Sequence, residues 1–207
     1  MKKRNLLFFF LIALGIFGGK ALAIEEAKYS ILKKDGAFEL RKSDTQIVAE
    51  TMVAGEFKEV GNEGFRRLFR YISGDNRARQ SISMTAPVTQ EAGSEKITMT
   101  APVNQEKVGG EWRITFLMPS SYTLQTLPEP LDPKVQIKEI PGRHLAAVTY
   151  SGTWSQTRYE EHKALLVEWM AAQGLKPIGE PVWARYNPPF TPWFLRRNEI
   201  LIPVEAP

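Results

Sequence analysis

Hydrophobic and polar positions alternate with a period of two over much of the chain, and this alternation is interrupted twice by a period near 3.6. Between residues 28 and 54, Tyr29 and Ile31 alternate with polar neighbours, and Phe38 and Leu40 alternate with Glu39 and Arg41. Asp35-Gly36 between them predicts a two-residue hairpin turn. A β-rich run, Ile47–Val53, leads into the first helical stretch, about 56–73, where Phe57, Val60, Phe65, Leu68 and Ile72 share one stripe. Gly61 and Gly64 weaken that helix by up to ~1 kcal/mol each relative to alanine if they are interior, and Gly74 is placed to end it.

Two near-copies follow, Ser83–Glu91 and Thr98–Glu106, each centred on Met-Thr-Ala-Pro-Val. Both predict half-buried strands, with Ile82, Met84, Ala86 and Val88 on one face in the first and Ile97, Met99, Ala101 and Val103 in the second. Their prolines remove a ladder donor, so each copy belongs at an edge, an end or a bulge. Trp112–Met118 predicts a strand, 119–134 a proline-rich connection, and 135–140 and 144–151 further strands. A second helix is expected over about 156–173, with Thr157 and Glu160 resembling a capping box and Gly174 closing it. Strands near 181–186 and 198–204 finish the chain.

This order repeats. A strand ending near Gly55 and a strand ending near Gly152 each lead into a helix and then into more strands. The expected fold class is therefore α+β: duplicated β-α-β-β halves forming a curved antiparallel sheet or distorted β-barrel with two main helices.

The first residues change the charge balance. Lys2, Lys3 and Arg4 precede an apolar run, Leu6–Gly19, and Ala21-Leu22-Ala23 supplies small residues at a cleavage site. That arrangement predicts a secretory signal peptide over 1–23 and a domain over 24–207; the apolar run is too short to span a bilayer. The product would be exported, periplasmic in a Gram-negative bacterium and otherwise secreted, with no stable membrane anchor after cleavage. Removing four of the 27 basic residues leaves 23 against 23 acids. A neutral chain has no general attraction for a phosphate backbone, which argues against a nucleic-acid partner. The absence of cysteine excludes a thiol nucleophile, a thiolate metal site and covalent haem attachment through C-x-x-C-H.

Six segments, in order, resemble the SOUL haem-binding family: Phe38-Glu39-Leu40-Arg41, the paired Met-Thr-Ala-Pro-Val segments, Phe116–Leu124, Leu127-Pro128-Glu129-Pro130, Ala147–Gly152 and Arg196-Arg197-Asn198-Glu199. The resemblance covers nearly all of 28–204. It implies a duplicated distorted barrel with two helices and binding of haem or a related tetrapyrrole in an apolar groove beside the first helix. Ser43 departs from the pattern, standing where the family usually has an aromatic residue.

A porphyrin needs an apolar slot, worth ~25 cal/mol per Å² covered, with cations near its carboxylates; an axial iron ligand is optional. On the first helix Phe69 lies at the margin of the apolar stripe, flanked by Arg66 and Arg70, which suits a porphyrin with its propionates as well as it suits a core-edge ring with a solvated charged face. Of the two histidines, His162 shares a helical face with Leu165, Leu166 and Trp169 and reads as structural. His144, on the face of Ala146, Val148 and Tyr150, is a weak candidate for the iron. The family's axial histidine maps onto neither. Met84 and Met99 read as core methionines rather than thioether ligands, and Phe190–Phe194 as a loop that either caps a groove or covers a sheet. No hydrolase triad, H-E-x-x-H, Walker loop or dinucleotide fingerprint is present. The expected function is a non-catalytic tetrapyrrole-binding protein acting as carrier, buffer or scavenger. The alternatives are a pocket for another amphipathic molecule, or an enzyme on haem or a small substrate using His144 or a pocket carboxylate.

Overall fold

A computed structural model describes residues 24–78 and 93–207. The chain runs β1 (Tyr29–Asp35), β2 (Phe38–Ser43), β3 (Gln46–Val53), α1 (Phe57–Ile72), β4 (Asn76–Arg77), β5 (Val103–Val108), β6 (Glu111–Leu117), β7 (Glu129–Pro130), β8 (Val135–Ile140), β9 (His144–Tyr150), α2 (Gln156–Ala172), β10 (Val182–Arg185), a short 3-10 turn (Trp193–Leu195) and β11 (Asn198–Pro203). Nine strands form one antiparallel curled sheet, a half-barrel, in the order β1-β2-β9-β11-β10-β5-β6-β3-β8, and β4 pairs with β7 apart from it.

The duplication is written in that order. Reading outward from the central β10–β5 pair, β11 answers β6, β9 answers β3 and β2 answers β8. The strand preceding each half crosses over: β2 pairs with β9, and β8 pairs with β3. Each half is thus completed by a strand from the other, which ties them into one body.

Both helices pack on one face of the sheet. Leu166, Trp169 and Met170 of α2 bury against Ala146, Val148, Ile200 and Ile202, while Val60, Leu68 and Ile72 of α1 bury against Ala49, Ile114 and Phe116. The glycines that weaken α1 allow its close approach. A Cβ on Gly64 would lie 2.3 Å from Ile114 Cγ1, and one on Gly61 would lie 2.9 Å from Gln105 Oε1. Where α1 begins, Phe57 stacks on Trp183 with ring centroids 4.8 Å apart and meets Trp112 edge-on at 5.3 Å.

Several local expectations are corrected. The hairpin turn is Gly36-Ala37, one residue later than Asp35-Gly36, because Asp35 pairs with Phe38 and Gly36 takes the positive φ of 57°. Ser155, not Thr157, caps α2: its side chain accepts from Arg158 N at 3.3 Å. Leu165 is 49% exposed and lies off the buried stripe. The second Met-Thr-Ala-Pro-Val copy is not a continuous strand. Ala101 makes an isolated bridge with Glu26, and β5 starts only after Pro102. Thr100 breaks the alternation by being buried, its hydroxyl donating to Leu117 O. Ser43 keeps a place inside by exchanging hydrogen bonds with the Arg143 backbone, which clips β2 to β9. The first copy, with Met84, and residues 1–23 lie outside the described residues.

Candidate functional site

The sheet face opposite the helices carries a cluster of buried charge. Glu199 is fully buried on β11, with Arg41, Arg197, Tyr186 and Thr149 around it. Burial alone would push its carboxyl up, but hydrogen bonds and charge from Arg41 and Arg197 hold it below the ordinary carboxylate range. Every lone pair of this carboxylate is engaged from within the protein, so the cluster is structural.

The helix face opens into a groove at the seam between the halves. Its volume is about 360 Å³, within the range of roughly 300–1,000 Å³ for small-molecule pockets. Gly61, Asn62, Phe65 and Phe69 of α1 form one wall. Met99–Ala101 and Val103 form the second, and Tyr186–Phe190 with Trp154 and Arg185 the third; Ile24 closes the end. A larger hollow, about 490 Å³, lies beside Glu50, Arg67, Glu111 and Lys134; its charged lining suits water rather than an apolar plate.

The ring arrangement in the groove follows from local sequence. Phe65 and Phe69, one helical turn apart, stack with centroids 5.8 Å apart and planes 11° from parallel, and Phe65 meets Phe116 edge-on at 5.3 Å. Phe69 is therefore held in place although 46% exposed, and Phe190, also in the lining, is 86% exposed. These two apolar rings stand at the mouth, available to a ligand. The loop behind Phe190 is fixed by Arg196, whose Nε and Nη2 donate to the carbonyls of Thr191 and Pro189 at 2.8 and 2.7 Å. Trp154 is oriented by its Nε1, which donates to Asn198 Oδ1 at 2.8 Å.

Of the five residues put forward from the sequence as ligand contacts, Phe69 lines this groove, and Arg66, Arg70, His144 and His162 do not. Arg66 faces solvent beside Glu63 at 3.5 Å, and Arg70 bonds Asp75 at 3.1 Å. His162 stacks on Tyr150 with centroids 3.9 Å apart, its Nδ1 hydrogen-bonded to Arg158 O at 2.7 Å. His144 opens β9 opposite Lys42. Met99 is half-buried, on the groove wall and against the α1 core. Phe190 with Pro188 and Pro189 belongs to the wall, whereas Trp193 and Phe194 are exposed and pack edge-on against each other.

Sequence reasoning missed Gly61, Phe65, Trp154 and Arg185 as groove residues. Phe65 reads as core because its far side is core, and Arg185 carries no patterning signal on an otherwise apolar strand. Among the described residues no cluster of three or more His, Cys, Asp or Glu is placed to hold a metal ion, and no helix is long and apolar enough to cross a membrane.

The family model described as SOUL heme-binding protein matches residues 24–203. Heme-binding protein 1 of Xenopus laevis is 28% identical over 170 residues, covering 81% of this chain and 84% of that protein. Among solved structures, the EcmrR C-terminal domain aligns with TM-score 0.56 at 12% identity, over 86% of this chain and 99% of that one. A hydrolase from Listeria innocua encoded by lin2189 aligns with TM-score 0.52 at 12% identity, over 81% and 91%. At such identities the structural likenesses speak for the fold alone.

Proposed function

The chain belongs to the SOUL heme-binding protein family, and from that premise we propose that it holds haem or a related tetrapyrrole, without transforming it, in the groove between α1 and residues 186–190. One observation carries this reading: the groove is walled largely by apolar side chains, Phe65, Phe69, Met99, Val103 and Phe190 among them, and no acid among the described residues lines it. A flat macrocycle would lie against these rings, with grip scaling as the apolar area covered at ~25 cal/mol per Å². The name of the Xenopus laevis relative points the same way. The basic, apolar and small-residue succession of residues 1–23 supports export, so the protein would act as a carrier, buffer or scavenger outside the cytoplasm.

That neither histidine reaches the groove favours one second reading, a pocket for a different amphipathic molecule without need of iron. Titrating the purified protein with haemin separates the two. Saturable one-to-one change in the Soret band, weakened about tenfold in Phe69→Ala, or roughly 1.4 kcal/mol, supports the tetrapyrrole. Featureless partitioning that Phe69→Ala leaves unchanged overturns it.

A further inference from the structure

Arg185 ends β10 at the central seam, opposite Val103 of β5 and Asn198 of β11. Its guanidinium carbon lies 4.1 Å from the Trp183 ring centroid and 5.5 Å from that of Trp154. Nη2 donates to Gln105 Oε1 at 2.6 Å, and Gln105 is itself committed, donating to Phe57 O at 2.9 Å. Gly61 leaves the space above: a Cβ there would be 3.0 Å from Nη2. Nε is buried and has no hydrogen-bond partner.

Arg41, Arg67, Arg113 and Arg197 each hold a carboxylate. Among the described residues Arg185 has none: its one acceptor is the neutral amide of Gln105. It is also the one charged residue among the described residues that line the groove. Burial pushes its guanidinium down to about 10, so the site holds a cation at a cost that an incoming anion would offset.

We propose that Arg185 is the anchor for a ligand carboxylate, and that the groove selects carboxylated amphiphiles, which enter acid-first with the apolar body between Phe69 and Phe190. The inference rests on the groove being the ligand site and deepens that reading by reversing the orientation expected from Arg66 and Arg70, which stand outside with Glu63 and Asp75 as partners. Aromatic rings on the guanidinium exclude water, which strengthens a charge-assisted pair.

The test uses two matched pairs of probes on the purified protein, on Arg185→Leu and on Arg185→Gln: haemin with haemin dimethyl ester, and a dansyl-labelled long-chain fatty acid with its methyl ester. The wild-type protein is expected to prefer each acid to its ester at least tenfold, and both variants to lose that preference while keeping the wild-type circular dichroism spectrum. Wild-type protein that binds acid and ester alike overturns the anchor even if a variant fails to fold, as does a preference that survives both replacements. The two readings fail separately. Haemin bound without discrimination leaves the tetrapyrrole site standing and removes the anchor. Failure of haemin beside Arg185-dependent capture of the fatty acid does the reverse. Binding of none of the four probes removes both.

Discussion

Arg41 on β2 and Glu199 on β11 meet in a bidentate pair, Nη1 to Oε2 at 2.7 Å and Nη2 to Oε1 at 3.0 Å, across 158 residues of sequence. The Arg41 Nε turns to Glu39 at 2.7 Å, and Glu199 also accepts from Arg197 and Tyr186, both at 2.8 Å. Two of the segments on which the family resemblance rests, Phe38–Arg41 and Arg196–Glu199, therefore meet in space. Their shared task is to fasten the chain's first strands to its last, in a network that reaches the groove lining only through Tyr186.

Breaking this pair will be costly because it strands a charge in a dry site. Glu199→Gln and Arg41→Met are each expected to lower unfolding free energy by about 3–5 kcal/mol, read from the urea midpoint at unchanged m-value. If both lost under 1 kcal/mol, the network would be ornamental.

The same network predicts acid sensitivity. Burial works to raise both Glu39 and Glu199, but Lys34 and Arg41 on the first, and Arg41 and Arg197 on the second, outweigh it and hold both carboxyls low. Their folded-state values lie below the ordinary 4.5, so the unfolded chain binds protons first as pH falls. The stability they contribute is complete above about pH 5 and is lost as pH drops through the ordinary and then the folded values. Urea midpoints measured from pH 6 to pH 3 should fall steeply in the wild-type protein and less steeply in Glu199→Gln. Parallel slopes would refute the assignment.

The register of α1 and most of the strand order along the chain were legible because each element buries one face and so carries a period. Val60, Leu68 and Ile72 are buried where the stripe placed them. The exchange of β2 and β8 between halves was not legible: strands pair through backbone groups, and nothing in Phe38–Ser43 distinguishes β9 from β3 as a neighbour. Phe69 was readable as a groove residue because it departs from its own stripe. Arg185 was not, since its meaning depends on Trp154, Trp183 and Gln105, which only the fold brings to it. Gly61 and Gly64, read as weak points of α1, turn out to set how near it lies to the sheet.

Gly64→Ala isolates that last point. On an exposed helix the change would stabilise by up to ~1 kcal/mol. Here the new Cβ would fall 2.3 Å from Ile114 Cγ1 and 2.7 Å from its Cβ, so α1 must shift, and a net loss of about 1–3 kcal/mol is expected. Thermal unfolding decides the sign, and a raised midpoint would mean that α1 does not lie so close to β6.

The start of α2 offers a paired comparison. Ser155→Ala should cost about 1 kcal/mol, because it leaves Arg158 N without the serine oxygen. Thr157→Ala should be near neutral, since Thr157 is an exposed residue of the first turn. The opposite ranking in chemical denaturation would restore the capping box expected from the sequence.

The last prediction concerns iron. The groove and both histidines lie on the helix side of the sheet, yet His144 and His162 are absent from the groove lining, and the Nδ1 of His162 is already engaged by Arg158 O. Tyr186, which does line the groove, spends its hydroxyl as donor to Glu199, and burial pushes that phenol far above its ordinary value. Of the lining atoms with affinity for iron among the described residues, the Met99 thioether remains. Haem held by shape should therefore keep its Soret maximum in His144→Ala and His162→Ala. The second variant should lose stability all the same, because His162 stacks on Tyr150 and such ring pairs contribute about 0.5–1.5 kcal/mol. A band displaced in Met99→Leu alone would identify the thioether as an axial ligand within this groove. A band displaced by replacing either histidine would put the macrocycle somewhere other than between Phe69 and Phe190.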